Sequence, residues 1–472
     1  MNDVIHTVTD GLMGFGNTSG TGVHIKIGAS PVQSEEPIII TSANRLEYMT
    51  KNLGLSPLRD AVMDSIENGA SKIICIPVQP SAQGEIKALE PKITEHSGIV
   101  TIDGKPNNRF GIVVKITGRG TLNEASFKYS INGGYTYSEE RTVPLSGESE
   151  LPDTGLKILF TANEAQTYEV EDTYEWQTSA PALTNEDLMK GVNRIRSIKQ
   201  EAELVHIVGA CSADTWAMLS AMQSELQTRY RKPLMFILEA FEKDSRQSMD
   251  EYAAALKAAR KNVKNYQIQV VAARALYVGM DGLSRDTNAA GIVCGLYGRT
   301  AVNKSIGETA VVSLSEDRVL KYLPEGIDDD YIDALDGMGY LTIRQYDGLE
   351  GYYINNARMM GPEGTDYRYA EDVRVLNKII RETRKTALLQ LQSDIDLEKP
   401  MTDLKAKVQF IQAPLDRMVT EKEISSVEIT IPENAAETII ADGTLQLSIR
   451  YVQRGVIRNI EIDVGKRNPY AS

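Results

Sequence analysis

Four histidines, three cysteines and one glycine-rich loop are the residues of this chain whose chemistry could support a reaction. His6, His24, His96 and His206 show neither an i,i+4 pairing nor ligand spacing, and His206 sits in an apolar run expected to be a buried strand, so no metal site is expected. Cys75, Cys211 and Cys294 lie far apart, each among apolar or small residues. Such an odd, scattered set is neither a disulfide framework nor a zinc site, and all three are expected to be buried thiols. Gly14-Phe15-Gly16-Asn17-Thr18-Ser19-Gly20 resembles a phosphate-cradling loop. A strand pattern, Val23 to Ile27, nevertheless follows where a helix start and a Lys-Ser/Thr pair would have to hold the phosphate. A flexible arm suits that composition better. There is no Gly-x-Ser-x-Gly elbow. Asp328-Asp329-Asp330 after Gly326 suits a solvated turn or a helix N-terminus rather than an acid-base pair. The expectation is a protein that is not an enzyme, with no catalytic residue, cofactor or metal.

The elements that hold these residues suggest a mixed architecture. A chain of 472 residues exceeds one ordinary core, and 42% hydrophobic with 25% charged residues is globular composition. No apolar run approaches the ~18 residues that span a bilayer. The polar start, Met1 to Gly11, lacks a basic segment followed by an apolar one, so folding in a cytoplasm without membrane insertion is expected. A net charge of −14 argues against a nucleic-acid partner. After Gly443, however, Arg450, Arg454, Arg458, Lys466 and Arg467 outnumber Glu461 and Asp463. An acidic body with a basic tail suits head-to-tail self-association.

Along the chain, residues 1–28 are expected to form an N-terminal arm, around Val4, Ile5 and Val8, and a first strand. Residues 29–97 carry an α/β pattern: strand Ile38 to Thr41, helix Leu58 to Glu67, strand Lys72 to Val78. Residues 98–180 hold only short strands and turns, as expected of an inserted all-β domain. Its clearest signal is Asn132-Gly133 between Phe127–Ser130 and Tyr135–Ser138, a hairpin signature. The α/β pattern returns over 181–285, with a helix capped by Thr184 or Asn185, strand Leu204 to Ala210, helix Ala213 to Arg229, strand Pro233 to Ala240, helix Ser248 to Asn262 and strand Gln267 to Val278. Continuous apolar strands such as Leu234 to Leu238 indicate a parallel sheet covered on both faces, hence a three-layer α/β core. Residues 286–442 form an α+β C-terminal region: a small-residue helix from Asp286, two short strands flanking Asp347-Gly348, and a long helix from about Asp366 to Ser393 capped by Thr365 or Asp366. On that helix Val373, Leu376 and Ile380 share one face, while Arg374, Lys378, Arg381 and Lys385 stack opposite it, either as a solvated face or as a contact for an acidic partner.

Residues 443–472 hold the most distinctive pattern. Leu445, Leu447, Ile449 and Tyr451 alternate with polar residues, and after Gln453-Arg454-Gly455 a second run carries Val456, Ile460, Ile462 and Val464. Period-two alternation predicts two half-buried strands. A strand so near a terminus can pair within its own subunit or complete a sheet in a neighbour.

The order of these features resembles that of the contractile tail sheath proteins of bacteriophages and related injection particles. Gly291 to Val302 is similar to the family's Ala-Gly-x-x-Ala-Arg segment. Tyr352 to Met359, then Asp366-Tyr367-Arg368-Tyr369 and Arg374, resembles its variable strand, Asp-Tyr and Arg-bearing helix. The resemblance covers residues 200–472 and the N-terminal arm; the β segment departs from any fixed pattern, as outward-facing insertions do. It implies a structural subunit that stacks with itself in sixfold rings around an inner tail tube protein, meets baseplate and tail terminator components, and contracts. Assembly would take place in the bacterial cytoplasm, and the product would be a virion tail or contractile particle. The terminal arms would link neighbours through a resident sheet at Leu445, Leu447, Ile449 and Tyr451, and the basic helix would face the tube. The alternatives are a cytoplasmic α/β enzyme with a β insertion, disfavoured by the missing catalytic constellation, and a non-contractile β-rich structural or adhesive component, disfavoured by the α/β half.

Overall fold

The computed structural model describes residues 22–466 except His96 and Glu164. The expected arm residues Val4, Ile5 and Val8, the loop Gly14 to Gly20 and His6 lie outside the described residues. The protein is mixed α/β, with ten α-helices and several sheets among the described residues. Its centre is a six-stranded sheet in the order Ile268–Val271, Met235–Ala240, Leu204–Cys211, His24–Ala29, Lys72–Val78, Ile38–Thr41. The first five are parallel and Ile38–Thr41 is antiparallel at the edge.

Alternation along these strands sends side chains to opposite faces. Ile25, Ile27, Val205, Ile207, Phe236 and Leu238 enter one cluster. There Leu188, Trp216, Leu219 and Leu256 cover them from the helices Asn185–Asn193, Ala213–Thr228 and Met249–Arg260. On the other face Ile73 and Cys75 meet Val62 and Met63 of helix Pro57–Glu67, while Leu204, Met235 and Ile237 meet Val293 and Leu296 of helix Ala290–Arg299. All three cysteines are buried free thiols, as expected.

Helix starts follow local chemistry. Thr184 with Asp187, and Ser248 with Glu251, form capping boxes, and the hydroxyls of Ser56 and Ser212 accept from Arg59 and Thr215 backbone N–H groups. Asp328 likewise caps helix Asp329–Gly337, so the acidic triplet marks a helix N-terminus. Gly291, Gly295 and Gly298 bring helix Ala290–Arg299 against helix Pro57–Glu67 and the turn after it. A Cβ on Gly295 would lie 2.5 Å from the Ser65 carbonyl oxygen, and one on Gly298 2.9 Å from Ala70 Cα.

Between Ile86 and Thr178 the chain forms two antiparallel sheets of three and five strands. They close on their own cluster, which includes Ile112, Phe127, Ile158, Phe160 and Trp176. The Asn132-Gly133 turn exists, with φ of 73° and 92° at Gly133 and Gly134, but the return strand does not begin at Tyr135. Ser130 Oγ accepts from Gly134 N at 2.9 Å, the chain loops out, and Ser126 and Phe127 pair instead with Arg141–Thr142.

Two further expectations change. Gln267 to Val278 is two strands, Ile268–Val271 and Arg274–Val278, because the second leaves the central sheet to pair with Ser284–Asn288 and Val319–Leu323. The long helix is Ala370–Leu388: Asp372 Oδ2 accepts from Tyr369 N at 3.1 Å and starts it four residues after Asp366. The sequence reading also missed helix Pro400–Thr420, which contains Pro414 and packs back against Ala370–Leu388, with Leu415 and Met418 meeting Val375 and Ile379.

Candidate assembly surface

The C-terminal alternation resolves into one strand rather than two. Ser448–Gln453 pairs antiparallel with Ile424–Thr430, an upstream strand absent from the sequence reading, in the register Val427↔Tyr451 and Ile429↔Ile449. Helix Ala435–Asp442 connects them and ends on Gly443 at φ 71°. Ile449 and Tyr451 point inward with Val427 and Ile429 onto Val375, Ile379, Leu415 and Met418, so their alternation was informative. Leu445 and Leu447 precede the strand and, though half-buried like Ile449 and Tyr451, lie outside that cluster. Among the described residues the sheet has two strands, so each offers one unpaired edge.

The second run is not a strand in the isolated chain. Residues 454–466 form no ladder with any described residue, and Ile457, Ile460, Ile462 and Val464 are 76% to 86% exposed. A lone extended segment has no second face on which to bury its apolar side chains. Its root is nevertheless fixed. Gln453 Nε2 donates to Asp372 Oδ1 at 2.7 Å, and Arg458 donates to Asn356 Oδ1 at 3.0 Å, pairs with Glu371 and lies 3.8 Å over the Tyr369 ring.

The four basic residues of helix Ala370–Leu388 do not form a solvated stripe. Arg374 is fully buried: Nε is 2.5 Å from Glu203 Oε1, and Nη2 donates to the carbonyls of Tyr297 and Thr300 at 3.0 and 3.1 Å. It thereby satisfies carbonyls at the C-terminal end of the small-residue helix. Burial alone would push the Glu203 carboxyl up, but Arg374 and Arg381 outweigh it and hold it below the usual value. Lys378 pairs with Glu423 at 2.6 Å, and Arg381 and Lys385 reach Glu201 at 3.2 and 2.7 Å. Lys385 is the half-exposed member of the four. The stripe is therefore a seam inside the subunit. This corrects the surface position expected of Arg374, Lys378 and Arg381: the helix is covered on both sides as far as Arg381, and helical periodicity does not report which sides are covered.

A cleft of about 910 Å³ opens at the C-terminal ends of the central strands, beside Ala29, Gly209 and Cys211. Ligands of open α/β sheets sit in such crevices. Its charges are already paired: Arg285 with Asp64 at 2.6 Å and Asp281 at 3.2 Å, and Arg274 with Asp286 at 2.7 Å and Glu242 at 3.1 Å. Burial pushes Asp64 up to about 6 against the pull of Arg285, and Glu239 up to about 7. Beneath lies a relay in which Lys26 Nζ is 2.6 Å from His206 Nδ1 and His206 Nε2 is 3.1 Å from Glu239. Burial lowers the pKa of both Lys26 and His206, and raises the thiols of Cys75, to about 12, and Cys211, so neither cysteine offers a thiolate nucleophile. Among the described residues no group of His, Cys, Asp or Glu is set to hold a metal ion, and no helix is long and apolar enough to cross a membrane.

Comparison with known proteins adds identity to this geometry. A model of the DUF2586 N-terminal domain matches residues 1–358, and one of the DUF2586 C-terminal domain matches residues 366–471. No curated protein sequence matches the chain. Among solved structures, the chain is similar to the sheath complex of an extracellular contractile injection system, PVC, in its contracted state, with 10% identity, 99% of this chain and 98% of that one covered, and a TM-score of 0.56. It is also similar to a chain of the anti-feeding prophage (AFP) baseplate in the contracted state, with 13% identity, coverage of 98% and 97%, and a TM-score of 0.54. A sheath tail protein from Desulfitobacterium hafniense aligns with 14% identity over 92% of this chain and 94% of that one, at a TM-score of 0.49. Matched by family models over nearly its whole length and sharing its fold with these contractile particles, the chain belongs to the DUF2586 family.

Proposed function

We propose that the protein is the structural subunit of a contractile sheath, polymerising with itself in stacked, sixfold rings around an inner tube and contracting to drive that tube forward. The observation that carries this is the presence, among the described residues, of an exposed alternating segment, Val456 to Val464, and a two-stranded sheet with unpaired edges, Ile424–Thr430 and Ser448–Gln453. A segment donated to the same sheet of a neighbour makes a heterologous contact, and a heterologous contact that does not close builds a helical filament. Main-chain hydrogen bonds in such a sheet survive rotation of the bodies they link. Contraction is then the fall of a kinetically held lattice into a better-packed one.

In this proposal Val4, Ile5 and Val8 supply a second arm, and the two sheets between Ile86 and Thr178 face outward. The contact with the tube reduces to Lys385, the half-exposed end of the basic seam. Baseplate and terminator components cap the ends of the filament. Assembly occurs in the bacterial cytoplasm. The test is deletion of residues 456–472 followed by electron microscopy and circular dichroism. A folded, dispersed protein is expected where the parent forms tubes or rings; tubes of normal length from the truncated chain would overturn the proposal.

A further inference from the structure

We propose that a recess between the C-terminal half of helix Ala370–Leu388 and the N-terminal end of the central sheet binds a compact polyanion of the phosphate type. The recess is about 230 Å³, with Ile25, Ile195, Ile198 and Leu234 among its apolar lining. That is below the roughly 300 Å³ at which pockets begin to hold drug-sized molecules, so it takes a group rather than a whole nucleotide. Its charge is one-sided: Lys199, Arg231, Lys232, Arg381, Arg384 and Lys385 line it against the single carboxylate of Glu201. On a chain of net charge −14 this is a local reversal of sign.

The one carboxylate is shared by charge between two of these cations, although its Oε1 makes no hydrogen bond among the described residues. Glu201 lies 2.7 Å from Lys385 and 3.2 Å from Arg381 Nε. Arg381 is only 8% exposed, and its Nη1 has no hydrogen-bond partner among the described residues. A buried guanidinium donor left unmet is destabilising, and an oxyanion offers it a charge-assisted bond. Lys199, Arg231 and Arg384 stand exposed at the rim, and Arg231 is held at φ 56°, a left-handed conformation rare for a long side chain. Residues 1–21 bring only Asp3 and Asp10, too few carboxylates to neutralise the recess. Three guanidinium groups around a small apolar floor match a multiply charged tetrahedral oxyanion better than one carboxylate, because several of their forks can bond it at once.

Isothermal titration and thermal shift on the full chain test this with inorganic pyrophosphate and phosphate, against NaCl at matched ionic strength. Saturable one-to-one binding of pyrophosphate is expected, with a rise in Tm that NaCl does not reproduce. The rim variant Arg231→Gln/Arg384→Gln should keep the parent's circular dichroism and ligand-free Tm while weakening binding at least about tenfold, the loss expected for two charge-assisted bonds. Lys199→Gln provides a second rim variant should that double change disturb folding. The proposal is overturned if no saturable binding appears, if the rim variants bind as the parent does, or if an oligo-glutamate peptide displaces pyrophosphate at lower concentration, since the recess would then be a docking surface for an acidic protein.

Discussion

Replacing Arg374 with Gln separates the buried seam from a surface stripe. In the structure Arg374 and Glu203 are both fully buried and 2.5 Å apart, and the guanidinium also serves carbonyls of Tyr297 and Thr300. Removing one partner of such a pair costs about 3–5 kcal/mol, because the other charge stays buried without compensation. The loss should depend on pH. In the parent, Glu203 is held below its unfolded value, so its stabilisation is present above that value and fades as pH falls through the folded one. In R374Q burial dominates and Glu203 moves upward, which reverses the dependence: the variant then loses stability as pH rises. The gap between parent and variant in urea unfolding should therefore be widest near pH 7.5 and narrow toward pH 4.5. Replacing both partners with apolar residues, Glu203→Leu/Arg374→Met, should recover much of the loss. An R374Q protein within about 0.5 kcal/mol of the parent at pH 7.5, the range of ordinary surface changes, would refute the account of the seam.

Two other outcomes follow from the packing. Gly295→Ala places a Cβ 2.5 Å from the Ser65 carbonyl oxygen and 2.6 Å from Asn68 Cβ, so the helices must separate; a loss of about 1–3 kcal/mol in chemical denaturation is expected. Burial raises Asp64 to about 6 and Glu239 to about 7, so their contribution is complete below the unfolded carboxyl values and is lost as pH rises through those folded values. Glu239→Gln should accordingly flatten the fall in unfolding midpoint between pH 6 and 8, and an unchanged slope would show that another group sets it.

What the sequence determined by itself is what local rules control. Apolar runs such as Lys72–Val78 announced buried strands, Thr184 and Ser248 announced helix starts, and the alternation at Ile449 and Tyr451 announced the inward face of a strand. Each signal lies within a few residues of its consequence. Only the tertiary structure decided which strand Ser448–Gln453 would pair with, and it chose Ile424–Thr430 rather than the adjacent run from Val456, because helix Ala435–Asp442 brings the upstream strand alongside. The same holds for Arg374. Its helical face was legible, but its partner lies 171 residues away at Glu203, and periodicity reports which side chains share a face without reporting what covers it. The sheet edges left open among the described residues and the exposed apolar tail also emerged only when the chain was folded, since neither pairing nor exposure is set by the nearest neighbours in sequence.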